Sequence, residues 1–303
     1  MRISAIDIGT NTVLLLVAEV HGTNLEPIEH GYAIARLGQG VDERRNISQE
    51  AMDRVAGVLG DYMRISREQQ VERIVACGTS ALRDAHNRNE FLQFVKTRFG
   101  LEVMVLSGEE EAELTYVGAL SEFPSEQEGE YAVIDIGGGS TEVITGTRSE
   151  VQSAMSLDIG CVRLTERFLN QTPPDPESLK RAVTMIREHS RSLPEMNRAT
   201  RLVGVAGTVT TLAAIDLNLP HYDPLAVSGH VLPMTGIQQI FNRLSVKSLN
   251  ELKAVPQIHI GRADIIVAGV VILIELMKLT GRDEITVSDR GLRYGLALRE
   301  ASK

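Results

Sequence analysis

The chain has 303 residues, of which 43% are hydrophobic and 23% charged, and its formal net charge is −9. This length suffices for one large or two ordinary domains, and the acidic balance argues against nonspecific binding to nucleic acids or membranes. With two cysteines, Cys77 and Cys161, the chain has neither a disulfide framework nor a CxxC metal site. The N-terminus lacks a signal-peptide pattern, so we predict a reducing, cytoplasmic location.

The first half of the chain predicts three consecutive strands followed by alternating helices and strands. In chain order these are strands at 2–8, 12–20 and 25–36, a helix near 48–66, a strand at 72–77, a helix near 81–98 and a strand at 102–106. The strand segments are rich in Val, Ile and Leu. Strands that first pair as hairpins and then alternate with helices indicate a mixed sheet covered by helices on both faces.

The second half predicts a similar succession. Its predicted elements are strands near 131–136, 142–147 and 150–157, helices near 160–169 and 175–192, a strand at 201–205, a long helical stretch that ends at 263–280, and a strand at 284–288. The apolar run at 265–277 contains Glu275, so we interpret it as a buried core helix and not as a membrane span.

A polar connector at 121–130 separates the halves, which predicts domains at 1–124 and 125–303. In an alternative assignment, a C-terminal helix at about 290–303 packs back on the first domain.

Three segments recur in the same order in both halves. Asp7-Ile8-Gly9 reappears as Asp135-Ile136-Gly137, and 75–85 resembles 203–215. A looser match relates 101–114 to 283–296. The matched order predicts a duplication, with two α/β domains and a cleft between them in which ligands commonly bind.

A glycine-rich loop follows Asp135 and carries the strongest signal for ligand binding. It consists of Gly137, Gly138, Gly139, Ser140 and Thr141. Glycines have no Cβ, so their N–H groups can approach an anion closely, and the two hydroxyl groups add further donors. The hairpin returns Glu142 opposite Asp135, and two carboxylates beside an anion site suit Mg²⁺. The alternative is a tight hairpin with a purely geometric role.

Other polar turns repeat this pattern at the ends of predicted strands. They contain Gly9, Thr10 and Asn11 after Asp7, Thr79 and Ser80 after Gly78, and Thr208 after Gly207. Helix N-termini favour phosphate groups, so four such elements predict a ligand with several phosphates. Arg83 follows one of these turns and is a candidate to bind phosphate oxygens; Arg36, Arg163 and Arg293 are weaker candidates.

The acidic segment at 106–116 admits two interpretations. Ser107 and Glu110 form a capping-box pattern, and acidic residues are favoured in the first turn of a helix. A carboxylate of this run that points towards the ligand could also deprotonate a water molecule that attacks a terminal phosphate.

These motifs resemble the exopolyphosphatase/guanosine pentaphosphate phosphohydrolase (Ppx/GppA) family of the actin-like and sugar-kinase-like superfamily. The resemblance covers almost the whole chain and is carried by AIDIGTNTVLLLVAE, ACGTSALRDAHN, LSGEEEAELTYVGA, VIDIGGGSTEV, LDIGCVRLTERF, GRADIIVAG and DRGLRYGL. It implies two duplicated actin-like (ribonuclease H-like) domains, each a mixed sheet flanked by helices, with an interdomain cleft. It also implies a short form, since longer members carry a C-terminal HD-type domain.

For the site, the resemblance implies that Glu111 is the catalytic glutamate and that Asp135 and Glu142 position metal and water. It implies Mg²⁺ as cofactor and a contact between Arg83 and phosphate. The expected reaction is the release of terminal orthophosphate from inorganic polyphosphate, or alternatively from guanosine pentaphosphate. A small-molecule kinase and a noncatalytic nucleotide-binding scaffold are alternatives of another class. Besides the substrate, a second copy of the chain is a candidate partner, which would give a homodimer. Binding to nucleic acid or to a membrane is not expected.

Overall fold

The computed structural model describes residues 1–303 except 23, 124–128, 195 and 198. The chain divides into two compact units. The first unit comprises Met1–Ser121 together with Arg290–Lys303, and the second comprises Glu122–Asp289. The domain boundary predicted between 124 and 125 lies outside the described residues. The last helix of the chain belongs to the first unit.

The first unit contains a five-stranded mixed sheet in the order β3-β2-β1-β4-β5. Its strands are β1 (Arg2–Ile8), β2 (Thr12–His21), β3 (Asn24–Ile34), β4 (Arg73–Gly78) and β5 (Val103–Val105). Its helices are α1 (Val41–Arg44), α2 (Gln49–Glu68), α3 (Ser80–Asp84), α4 (Arg88–Phe99), α5 (Gly108–Leu120) and, at the end of the chain, α13 (Leu292–Ala301). Strands β1, β2 and β3 form an antiparallel meander, whereas β1, β4 and β5 run parallel.

The second unit contains a six-stranded sheet in the order β10-β11-β9-β6-β7-β8. Its strands are β6 (Glu130–Ile136), β7 (Thr141–Thr147), β8 (Val151–Leu157), β9 (Arg201–Val205), β10 (Val231–Pro233) and β11 (Glu284–Val287). Its helices are α6 (Cys161–Arg167), α7 (Pro176–His189), α8 (Ala206–Asp216), α9 (Pro224–Val227), α10 (Met234–Leu244), α11 (Leu249–Lys253) and α12 (Ile266–Leu279), with a 3₁₀ turn at Ile260–Arg262.

The two sheets share one topology. Without β10, the second sheet has the order β8-β7-β6-β9-β11, which corresponds strand by strand to β3-β2-β1-β4-β5. In the first sheet, β1 pairs antiparallel with β2 and parallel with β4. In the second sheet, β6 likewise pairs antiparallel with β7 and parallel with β9. This is the strand order of a ribonuclease H-like domain. The predicted duplication and the predicted fold class, two mixed sheets flanked by helices, are therefore confirmed.

The alternation of side chains along β1 places apolar residues on both faces of the first sheet. Ile6 and Ile8 pack in a cluster with residues of α2 and α4, whereas Ile3 and Ala5 pack in a second cluster with residues of α5 and α13. Successive residues of a strand point to opposite faces, so a nearly continuous apolar strand requires helices on both sides.

Helix α12 is the buried core helix that the sequence predicts, since every residue from Ile266 to Met277 is buried. Its one acidic residue, Glu275, accepts hydrogen bonds from Arg187 and Lys278, each at 2.8 Å. None of the described helices combines the length and the apolar character that a membrane span requires.

The sequence-based description was wrong in two regions. The helix expected near 81–98 is divided into α3 and α4, because Ala85 has an extended backbone and residues 86–87 form a turn. The long helical stretch expected between β9 and the end of α12 is interrupted by β10, which pairs antiparallel with β11. A strand of three residues is too short to show the alternation of apolar and polar side chains by which strands are recognised.

Candidate active site

The parallel strands of the first unit end at the same edge of their sheet. Ile8 of β1 lies opposite Gly78 of β4, which lies opposite Val105 of β5. The segments that follow these strands contain the predicted site residues of this half, namely Gly9, Thr10, Asn11, Thr79, Ser80, Arg83 and Glu111. Open α/β sheets bind ligands at the carboxyl ends of their strands, so the structure places these residues where such a ligand would bind.

Residues 9–12, here named the first loop, are held by backbone hydrogen bonds. The Gly9 N–H donates to the Thr12 carbonyl at 2.9 Å. The N–H groups of Arg36 and Gly38 donate to the carbonyls of Asn11 and Thr10 at 2.9 and 2.8 Å. Arg36 adopts a φ of 50°, a conformation that is unfavourable for a non-glycine residue and that proteins commonly retain at functional sites.

Thr10 has an unsatisfied hydroxyl group. Its side chain is buried, and Oγ1 has no hydrogen-bond partner among the described residues. Leaving a buried polar group unpaired costs about 1–3 kcal/mol. A bound phosphate oxygen would remove this penalty, which makes Thr10 a suitable ligand-binding residue.

Glu111 lies in the first turn of α5. The predicted capping box is confirmed, since the Ser107 hydroxyl accepts from the Glu110 N–H and the Glu110 carboxylate accepts from the Ser107 N–H. Capping thus explains Glu110, while Glu109 and Glu113 are exposed. Glu111 is buried, with 7% of its surface exposed. The acidic run therefore contains one buried carboxylate that does not cap the helix.

Arg83 is the partner of Glu111. Its guanidinium contacts the Glu111 carboxylate directly and donates to the Leu106 carbonyl at 3.2 Å. Burial raises the pKa of Glu111 above its ordinary value, and the Arg83 charge partly offsets this increase. A raised pKa makes the carboxylate a stronger base. The predicted contact of Arg83 with phosphate stays a prediction, and its pairing with Glu111 was not expected.

The second unit repeats this arrangement at the carboxyl edge of its own sheet. Asp135 of β6 lies opposite Val205 of β9, and Gly204 of β9 lies opposite Val287 of β11. The glycine loop, residues 137–140, and the turn that contains Gly207 and Thr208 therefore follow neighbouring strands. Both segments lie at the sheet edge that corresponds to the one described for the first unit.

The two carboxylates predicted to hold a metal lie side by side. Asp135 and Glu142 are direct partners in the antiparallel pair β6–β7. Glu142 is buried, and its Oε1 accepts a hydrogen bond of 2.6 Å from the Ser156 hydroxyl. Among the described residues, no group of three or more His, Cys, Asp or Glu side chains could hold a metal ion. Two carboxylates nevertheless fit Mg²⁺, which commonly takes one or two from the protein and completes its shell with water and phosphate oxygens.

Helix α8 starts with a strained residue. Ala206 has a φ of 65° and precedes Gly207. The Arg262 guanidinium packs so closely against Gly207 that a Cβ at this position would overlap it. Thr208 is buried against Gly269 of α12. Neither the conformation of Ala206 nor the position of Arg262 has a signal in the sequence, because alanine has no preference for positive φ and Arg262 is far away in the chain.

A model of the Ppx/GppA phosphatase family matches residues 16–303. The chain belongs to the Ppx/GppA family. Exopolyphosphatase 2 of Mycobacterium tuberculosis is 36% identical to it over 314 aligned positions, which cover 98% of each chain.

Solved structures of Ppx/GppA proteins have the same fold. The Aquifex aeolicus family member is 35% identical, with a TM-score of 0.84 over 100% of this chain and 98% of that one. An exopolyphosphatase from Cytophaga hutchinsonii is 27% identical, with a TM-score of 0.91 and the same coverage. The family resemblance that the sequence motifs indicate is therefore confirmed.

Proposed function

We propose that this Ppx/GppA enzyme releases terminal orthophosphate from inorganic polyphosphate by Mg²⁺-dependent hydrolysis. The observation that carries the proposal is the alignment with Exopolyphosphatase 2, at 36% identity over 98% of each chain. The geometry supports it, because the carboxyl edge of each sheet carries loops rich in backbone and hydroxyl donors. Such loops suit a chain of phosphate groups and require no contact with a base or a sugar.

Each unit has its own candidate phosphate contacts. In the first unit the candidates are Gly9, Thr10, Asn11, Thr79, Ser80 and Arg83, with Asp7 at the end of β1. In the second unit they are Gly137, Gly138, Gly139, Ser140, Thr141, Gly207 and Thr208. Backbone N–H groups at loops and helix N-termini stabilise phosphate charge without side-chain reorganisation.

Asp135 and Glu142 would hold the Mg²⁺ ion, which supplies positive charge that balances the charge of the phosphate oxygens. Ser156 keeps the Glu142 carboxylate in place through its hydrogen bond. Asp135, which is partly exposed, would also orient a water molecule.

Glu111 is assigned as the general base. Its carboxylate would take a proton from water as the water oxygen bonds to the terminal phosphorus, and the bond from phosphorus to the bridging oxygen breaks. The shortened polyphosphate leaves with that oxygen. Phosphoryl transfer depends mainly on positioning and charge stabilisation. Burial shifts the pKa of Glu111 upwards, in the direction of neutral pH, which makes the carboxylate a better general base.

A phosphate-release assay tests the proposal. The purified protein, with Mg²⁺ and no acceptor, is offered inorganic polyphosphate, guanosine pentaphosphate, ATP and pyrophosphate. We expect the fastest release from polyphosphate. A preference for guanosine pentaphosphate would favour the alternative hydrolase activity, transfer only in the presence of an acceptor would indicate a kinase, and no release from any compound would contradict a hydrolase.

Other expectations from the sequence stay predictions. They concern a cytoplasmic location, a homodimer and the absence of nucleic-acid binding. Light scattering of the purified protein and an electrophoretic shift assay with nucleic acid would test the last two.

A further inference from the structure

The glycine loop packs against the first turn of α6. The N–H groups of Cys161 and Val162 donate to the carbonyls of Gly137 and Gly138 at 3.0 and 2.8 Å. Arg163 donates twice: its backbone N–H to the Gly138 carbonyl at 3.1 Å and its side-chain Nε to the Gly139 carbonyl at 2.8 Å. The carbonyls of all three glycines therefore accept hydrogen bonds from α6.

These contacts determine where the N–H groups of the loop point. In a planar trans peptide, the N–H of one residue points opposite to the carbonyl of the residue before it. Because the three glycine carbonyls point towards α6, the N–H groups of Gly138, Gly139 and Ser140 point away from it. Successive N–H groups on one side of a turn form an anion-binding nest. Glycines allow many other conformations, so α6 selects this one.

Two residues make the contact possible. Gly160 precedes α6, and a Cβ at this position would lie 2.6 Å from the carbonyl carbon of Gly139, so a side chain here would push the loop away. Arg163 has only 4% of its surface exposed. The sequence suggested Arg163 as a weak candidate for phosphate binding, whereas its Nε bond to Gly139 indicates a different role.

We propose that Gly160 and Arg163 are positioning residues, which hold the glycine loop so that its N–H groups face the phosphate. This inference rests on the proposed function, because the nest is one of the phosphate contacts assigned there. Arg163 acts through the loop and does not itself contact the substrate.

The kinetic signature follows from this role. The nest contacts phosphate oxygens before and during the reaction, so weakening it removes binding that the substrate and the transition state share. Such a loss raises KM and leaves kcat unchanged. The bond from Arg163 to Gly139 involves a charged guanidinium, and such bonds are among the stronger hydrogen bonds, so we expect Arg163→Met to raise KM for polyphosphate about 10-fold or more. A purely structural role would lower kcat through loss of folded enzyme and leave KM unchanged.

The experiment compares wild type, Arg163→Met, Arg163→Lys and the control Arg167→Met, which replaces an exposed arginine of the same helix. We expect a raised KM with unchanged kcat for Arg163→Met, partial recovery for Arg163→Lys and wild-type values for the control. A fall in kcat at constant KM, or no change in either, would overturn the inference. If Arg163→Met does not fold, Gly160→Ala gives the same test, since it displaces the loop while Arg163 is retained.

Binding of inorganic tripolyphosphate, measured by the rise in melting temperature, separates this inference from the proposed function. A smaller rise for Arg163→Met than for wild type supports the positioning role even if wild type hydrolyses no polyphosphate. Equal rises in the two proteins contradict the positioning role even if wild type is an active hydrolase.

Discussion

The first loop and the glycine loop occupy equivalent positions in the two units and are closed by the same hydrogen bond. The Gly9 N–H lies 2.9 Å from the Thr12 carbonyl, and the Gly137 N–H lies 3.0 Å from the Ser140 carbonyl. They differ in what they present. The first loop carries side chains, among them the buried hydroxyl of Thr10, whereas the glycine loop offers backbone N–H groups.

The residues opposite the two aspartates also differ. Asp135 pairs with Glu142, but Asp7 pairs with Leu14. The pairing of two carboxylates across the hairpin therefore occurs in the second unit, where we place the metal. Conversely, the match of 101–114 with 283–296 places Arg293 where the first copy has Glu111. The duplicated halves thus keep a common backbone and have diverged in their chemistry, with the proposed base in one unit and the proposed metal ligands in the other.

Removing the base of the first unit should give the largest effect. We expect Glu111→Gln to lower kcat for polyphosphate about 10²–10⁴-fold, because glutamine does not accept a proton from water, while polyphosphate still binds. Phosphate release and equilibrium binding are measured on the same preparation. Glu113→Gln, an exposed residue of the same helix, is the control and should behave like wild type. Unchanged turnover of Glu111→Gln would remove the assigned role.

Weakening the metal ligand of the second unit should change the Mg²⁺ requirement instead. Ser156→Ala removes the hydrogen bond of 2.6 Å to Glu142. Residues that orient a metal ligand contribute about 10–100-fold to metal affinity, so we expect about 10-fold more Mg²⁺ for half-maximal activity and a similar rate at saturation. Titration of activity with Mg²⁺ measures this. Ser153→Ala on the same strand is the control, and an unchanged midpoint for Ser156→Ala would argue against Glu142 as a ligand.

Removing Arg83 should shift the pH dependence. Burial raises the pKa of Glu111, and the Arg83 charge counteracts this. Arg83→Met leaves burial alone to act, so the Glu111 pKa rises further and the acidic limb of kcat/KM moves to higher pH. The pH–rate profile tests this, with Arg88→Met, a change at an exposed residue of α4, as control. A limb that stays in place or moves to lower pH would show that another group controls it.

The smallest expected change concerns the support of α5, which carries Glu111. A Cβ on Gly295 of α13 would lie 2.6 Å from the carbonyl carbon of Leu114 in α5. We expect Gly295→Ala to lower the free energy of unfolding by about 1–3 kcal/mol through overpacking. Gly57→Ala in α2, where nothing lies within 4 Å, should raise it by about 0.5–1 kcal/mol. Urea denaturation measures both free energies. Equal stability of Gly295→Ala and wild type would contradict the close approach of α13 to α5 at Gly295.

Much of the fold could be predicted because the decisive signals are local. The hairpins follow from apolar strands separated by glycine turns, the start of α5 follows from Ser107 and Glu110, and the pairing of Asp135 with Glu142 follows from the length of the glycine loop. Each of these depends on residues that are close together in the sequence.

The features that escaped prediction depend on contacts between distant segments. Arg83 and Glu111 are 28 residues apart, and no pattern in either segment specifies their contact. The positive φ values of Arg36 and Ala206 are imposed by packing and hydrogen bonding around them, since neither residue type prefers that conformation. The role of Arg163 likewise requires the approach of α6 to the glycine loop.

The most direct test of terminal hydrolysis uses polyphosphate of defined length in ¹⁸O-labelled water with Mg²⁺ and no acceptor. The proposed mechanism predicts orthophosphate that carries ¹⁸O, together with chains shortened from their ends, and much slower formation of both with Glu111→Gln. Internal fragments without orthophosphate, or orthophosphate without ¹⁸O, would contradict attack by water on the terminal phosphate.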